Sequence, residues 1–164
     1  MKKAYITAVI LILMVFSGCS GSRDLSPGNY AGFTYSDYMV VSVEVKMDGV
    51  EIDDYLVNNA SVLQSRFAKG TENLEIYIMK FEKSTGAMKF WYKWAGNTLG
   101  EFKTFIGTLP YVYGKVSDGD EDFYIETWYQ GKWIYIFKGK KSTVKSAIDS
   151  FKSFSKELER SLEL

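Results

Sequence analysis

The sequence predicts an α+β domain: a mostly antiparallel sheet of about five strands with helices packed on one face, in the order β-α-β-α-β-β-β-α. Three observations carry this. Strand-like runs, most of them alternating with period two, occupy residues 41–47, 75–81, 111–116, 123–129 and 132–138. Apolar residues recur at helical spacing over residues 56–67, 87–94 and 143–162. Turn-forming residues, among them Asp48-Gly49, Gly70, Gly96-Asn97 and Gln130-Gly131, separate these runs.

In chain order, Val41, Val43, Val45 and Met47 alternate with Ser42, Glu44 and Lys46, as in a half-buried strand. Leu56, Ala60, Leu63 and Phe67 then fall on one face of an expected helix, which Asp53 or Asp54 would cap and Gly70 would close. Residues 75–81 are apolar on both faces, as in a covered central strand. Ser84 or Thr85 would cap a second helix carrying Ala87, Phe90, Trp91 and Trp94. After the strand at 111–116, an acidic loop leads to a hairpin of strands 123–129 and 132–138 turned at Gln130-Gly131. The last helix places Val144, Ala147, Ile148, Phe151, Phe154, Leu158 and Leu162 on one side.

One internal similarity crosses this order. Residues 76–85 and 134–143 are identical at seven of ten positions at an offset of 58. Both read as a strand, a short basic turn and a helix start. Duplication and shared local chemistry explain it equally well.

The 164 residues suffice for one domain with a real core, and 46% hydrophobic with 24% charged residues is an ordinary globular balance. Twenty basic groups against 20 acidic groups give no basic excess for a nucleic-acid partner. No histidine is present, which excludes Ser-His-Asp triads, Cys-His dyads and histidine-ligated zinc within this chain. No Walker loop or dinucleotide fingerprint occurs.

At the N-terminus, Lys2 and Lys3 precede the uncharged run of residues 4–16. That run is shorter than the roughly 20 residues needed to cross a bilayer and has the length of a secretory apolar core. Ser17-Gly18-Cys19 follows it, and this segment resembles a prokaryotic lipoprotein signal peptide. Phe16 stands where an aliphatic residue is usual. The resemblance implies cleavage before Cys19, lipid on its sulfur, and a protein held at the cell membrane or outer membrane, facing outside the cytoplasm. Residues 1–18 are then the leader, 19–37 the lipidated cysteine and a flexible tether, and 38–164 the domain. Loss of Lys2 and Lys3 leaves 18 basic and 20 acidic groups, net −2, so the anchor rather than surface charge would supply membrane affinity. The body resembles uncharacterised archaeal and bacterial envelope domains in residues 54–60 and in Gly86-Ala87 opening an aromatic helix. No activity comes with that likeness.

Candidate chemistry is sparse. Asp118, Asp120 and Asp122 repeat the opening of a calcium loop, but Phe123 and Tyr129 stand where its glycine and bidentate glutamate belong. A solvated turn of like charges is the simpler account of them. Asp53 and Asp54 have the residue types for acid–base hydrolysis, but are more simply a cap and dipole partner at a helix start. Lys83-Ser84 and Lys141-Ser142 offer serine–lysine chemistry, but their repetition favours caps. Trp91, Trp94, Trp128 and Trp133 can stack on a flat ligand or fill the core, and Trp128 marks a sheet face that would stay open for docking. The expected protein is a non-catalytic lipoprotein binding module without a cofactor. It would meet membrane lipid through Cys19, and an envelope protein or small ligand through its domain. The alternative is an envelope hydrolase using carboxylates, with or without Ca²⁺.

Overall fold

A computed structural model describes residues 25–99 and 113–162. After a 3-10 turn at Pro27–Gly32 come β1 (Met39–Met47), β2 (Val50–Ile52), β3 (Tyr55–Val57), β4 (Ala60–Lys69), β5 (Glu72–Phe81) and α1 (Ser84–Thr98). β6 (Tyr113–Gly119), β7 (Tyr124–Gln130), β8 (Trp133–Gly139) and α2 (Lys141–Ser161) complete the order. The main sheet has six strands in the order β1-β4-β5-β8-β7-β6, every neighbouring pair antiparallel, and β2 and β3 form a separate hairpin.

The α+β class holds, with corrections. The first expected helix is β3 and β4 instead. Ala60, Val62, Leu63, Ser65 and Phe67 are all buried, because β4 lies between β1 and β5 with both faces covered. Burial on both faces blurs the period of two, and the surviving apolar positions happen to fit a helix. Asp53 and Asp54 cap nothing: at φ 49° and 66° they are the two left-handed residues of the hairpin loop between Ile52 and Tyr55.

The helices cover opposite faces rather than one. Ala87, Trp91, Trp94 and Ala95 of α1 pack with Val62, Tyr77, Met79, Tyr129, Ile134 and Ile136, and the β2–β3 hairpin adds Val50, Ile52 and Val57 to the same layer. Val144, Ala147, Ile148 and Phe151 of α2 pack with Leu63, Phe67, Leu74, Ile76, Ile78 and Phe137 on the other side. Residues 25–37 also belong to the domain. Tyr30, Phe33 and Tyr35 enter this second core, and the Leu25 carbonyl accepts a hydrogen bond from Lys80 Nζ. Their burial comes without periodicity, so the sequence reads as a tether there.

The caps differ as well. Lys83 and Lys140 occupy the N-cap positions without side-chain cap bonds, and Ser84 and Ser142 lie just inside the helices. The internal similarity falls on β5–α1 and β8–α2. Tyr77 and Tyr135 each face the helix that follows their own strand. Yet β5 and β8 are antiparallel neighbours and their helices lie on opposite faces. A two-fold axis normal to the sheet would keep both helices on one face, so no rotation exchanges β5–α1 with β8–α2. The repeated unit is a strand, a turn and a helix start.

Candidate functional site

A groove of about 850 Å³ opens between the β2–β3 hairpin and α1, within the size range of small-molecule sites. Asp53, Asp54, Tyr55, Leu56 and Asn58 line the hairpin side, and Phe90, Lys93, Asn97 and Thr98 the helix side. The hairpin stands over α1 because Val50, Ile52 and Val57 are buried against the same core as Trp91 and Trp94. Phe90, Lys93 and Asn97 recur at helical spacing on the flank of α1, so their side chains share one wall. Lys93 Nζ lies 5.9 Å from the centre of the Tyr55 ring, within cation–π range. The groove therefore combines two aromatic rings, two carboxylates, one ammonium and two amides.

Its wall is fixed from within. Lys138 of β8, with 7% of its side chain exposed, reaches Asp53 Oδ2 at 2.5 Å and Oδ1 at 2.6 Å. Trp94 Nε1 donates to the same carboxylate at 3.0 Å. The Lys138 ammonium also lies 5.1 Å from the Tyr77 ring centre and 5.7 Å from that of Trp94. Beyond it, Glu75 accepts hydrogen bonds from Gln64 Nε2 and Arg66 Nε, each at 2.9 Å. Burial would raise the Glu75 carboxyl, but its bonds to Arg66, Tyr77 and Gln64 outweigh that and hold it below the usual range. Burial, then the neighbouring Glu75 carboxylate, pushes the Tyr77 hydroxyl up. This polar cluster ties the hairpin to the sheet.

The residues singled out from sequence are dispersed. Cys19 lies outside the described residues. Trp91 and Trp94 are fully buried and offer no ring face to a ligand: Trp91 Nε1 donates to Thr127 Oγ1 at 3.0 Å, and Trp94 serves Asp53. Trp128 and Trp133 are half-buried on the α2 face, stacked on Tyr135 with ring centres 4.9 and 6.1 Å apart. That face is aromatic as expected, but part of it is closed by α2, as the Tyr135–Phe151 contact at 5.8 Å records.

Asp118 lies within β6, which ends at Gly119, while Asp120 Oδ1 accepts the backbone N–H groups of Asp122 and Phe123 at 2.9 Å each. That carboxylate organises the turn, and these backbone bonds hold it below the usual range. Among the described residues no group of three or more His, Cys, Asp or Glu is placed to hold a metal. Of the groove residues, only Asp53 and Asp54 stand out in the sequence as candidates for chemistry; Leu56, Phe90 and Asn97 read there as helix faces and a turn. Lys138 in particular looks like the solvent end of a hairpin strand, and only the fold brings Asp53 to it.

No family model matches the chain, and no curated protein matches it. Among solved structures it is similar to a GTP binding regulator from Thermotoga maritima at 23% identity and a TM-score of 0.47, over 70% of this chain and 75% of that one. A likeness of that degree carries neither fold nor function across. No helix among the described residues is long and apolar enough to cross a membrane.

Proposed function

We propose that the protein is a lipid-anchored, non-catalytic binding module facing outside the cytoplasm, and that its ligand is a small polar molecule taken into the groove between the β2–β3 hairpin and α1. The leader-like residues 1–18 followed by Cys19 support the location. The groove supports binding, and the observation that carries this reading is its preformed wall: Asp53 is locked by Lys138 and Trp94 at 2.5–3.0 Å. A wall held by the core keeps its shape without ligand, which lowers the ordering cost of binding. Tyr55 and Phe90 suit a flat apolar face, while Asn58, Asn97 and Thr98 suit hydroxyl or amide groups on its rim.

Hydrolysis by a carboxylate pair is less well supported. Asp53 is committed inward, and Asp54 is its neighbour in a two-residue turn. Native mass spectrometry of the protein gently extracted from its own membranes tests the binding reading. A retained small molecule is expected with the wild type and is expected to be lost in Phe90→Ala and Asn97→Ala. Its complete absence from the wild type, or its equal retention in both variants, would overturn the groove as the site.

A further inference from the structure

The two edges of the main sheet are finished differently. β6 reads Tyr-Gly-Lys-Val-Ser-Asp-Gly and is interrupted by glycines and charges. β1 is nine residues long and exposes Met39, Val40, Val41, Val45 and Met47, from 48% at Val40 to 75% at Met47. Its two charges neutralise each other, with Lys46 Nζ 2.6 Å from Glu44 Oε2. Edge strands are normally guarded by net charge, proline, brevity or a bulge, because their free backbone groups template further pairing. Among these guards β1 has only a bulge: Val41 has no opposite residue in β4, between the pairs of Val40 and Ser42. Residues 42–47 below it are regular.

We propose that this edge pairs with the same edge of a second copy, antiparallel about Val45, to form one sheet across two molecules. The charge pattern selects the register. A two-fold axis normal to the sheet sets each residue opposite one on the same face, so the axis falls on a residue. Centred on Glu44, the pairing sets Glu44 against itself; centred on Lys46, it sets Lys46 against itself. Centred on Val43, it places the bulged Val41 opposite Val45.

Centred on Val45, it sets Glu44 opposite Lys46 of the second copy, twice. It also sets Val45 against Val45 and Val43 against Met47. Those three share the face of Leu63, the partner of Val45 in β4, so the exposed apolar row is covered by its own copy. Opposite charges across a strand pair stabilise it and like charges destabilise it.

Sedimentation equilibrium of the full chain in mild detergent, over a concentration series, tests this. The wild type is expected to dimerise, with Glu44→Lys and Lys46→Glu each weakening the dimer by about tenfold or more. Mixing the two variants is expected to restore it, because every cross-strand pair in the mixed dimer is then of opposite charge. The double exchange E44K/K46E is expected to dimerise like the wild type. Unchanged thermal melts exclude misfolding at these surface positions. A wild type monomeric throughout, a dimer that neither substitution weakens, or a mixture that fails to re-form it would overturn the proposal.

Discussion

Asp53 and Lys138 stand 85 residues apart and meet with the ammonium 2.6 Å from one carboxylate oxygen and 2.5 Å from the other. The contact fastens the loop of a two-stranded hairpin to an inner strand of the six-stranded sheet. It also sets the inner wall of the groove, because the same carboxylate accepts the Trp94 indole N–H.

The first prediction concerns that pair. Asp53→Asn retains an acceptor for Trp94 and a residue tolerant of left-handed backbone, but removes the charge. Lys138 then keeps a buried ammonium without its counter-ion. Because Asp53 is itself 37% exposed, the expected loss in urea unfolding is about 2–3 kcal/mol, at or below the range for a fully buried pair. Combining it with Lys138→Met is expected to recover most of the loss. A double variant as weak as the sum of the two singles would contradict the pairing.

Thr127 links the two sides of the first core, accepting from Trp91 Nε1 at 3.0 Å and donating to the Tyr135 carbonyl at 2.8 Å. Thr127→Val preserves shape and leaves the indole N–H unsatisfied in the core. The expected cost is about 1–3 kcal/mol, read from the shift in denaturation midpoint. A change within error would show that Trp91 finds another acceptor.

Gly114 is required by close approach. A Cβ there would lie 2.5 Å from Tyr129 Cε1 and 3.2 Å from Trp91 Cζ3. Both rings are fully buried and their centres are 5.0 Å apart, so neither can retreat freely. Gly114→Ala is expected to destabilise by about 1–3 kcal/mol through overpacking, whereas Gly32→Ala, with open space around its Cβ, is expected to stay within about 0.5 kcal/mol. Equal melting temperatures for the two variants would sink this packing argument.

Glu72 gives a pH signature. Its carboxylate accepts hydrogen bonds from the Tyr38 hydroxyl at 2.6 Å, Lys140 Nζ at 3.0 Å and the Thr143 hydroxyl at 3.2 Å. Led by Tyr38 and then Lys140, these hold its pKa down from 4.5 to about 2. A depressed carboxylate contributes stability that is fully present above pH 4.5 and lost as pH falls toward 2. The melting temperature of the wild type is expected to fall more steeply through this window than that of Glu72→Gln. Parallel curves would contradict the assignment.

Some of this was legible in the sequence and some was not, for physical reasons. The α2 stripe of Val144, Ala147, Ile148 and Phe151 reads correctly because that helix is covered on one side only. β4 does not: with Val62 in one core and Leu63 in the other, its pattern loses the alternation that marks a strand. Tyr30 and Phe33 are buried by an irregular segment that has no period to detect. The groove was hidden because its aspartates read as a helix start, and because Asp53 meets Lys138 only through tertiary folding.

The most direct test of the tethered-module reading is the intact mass of the protein extracted from its own membranes, beside Cys19→Ser. A mass equal to residues 19–164 plus a diacylglycerol, abolished by the substitution, is the expected result. An unmodified chain that retains Met1 would contradict it.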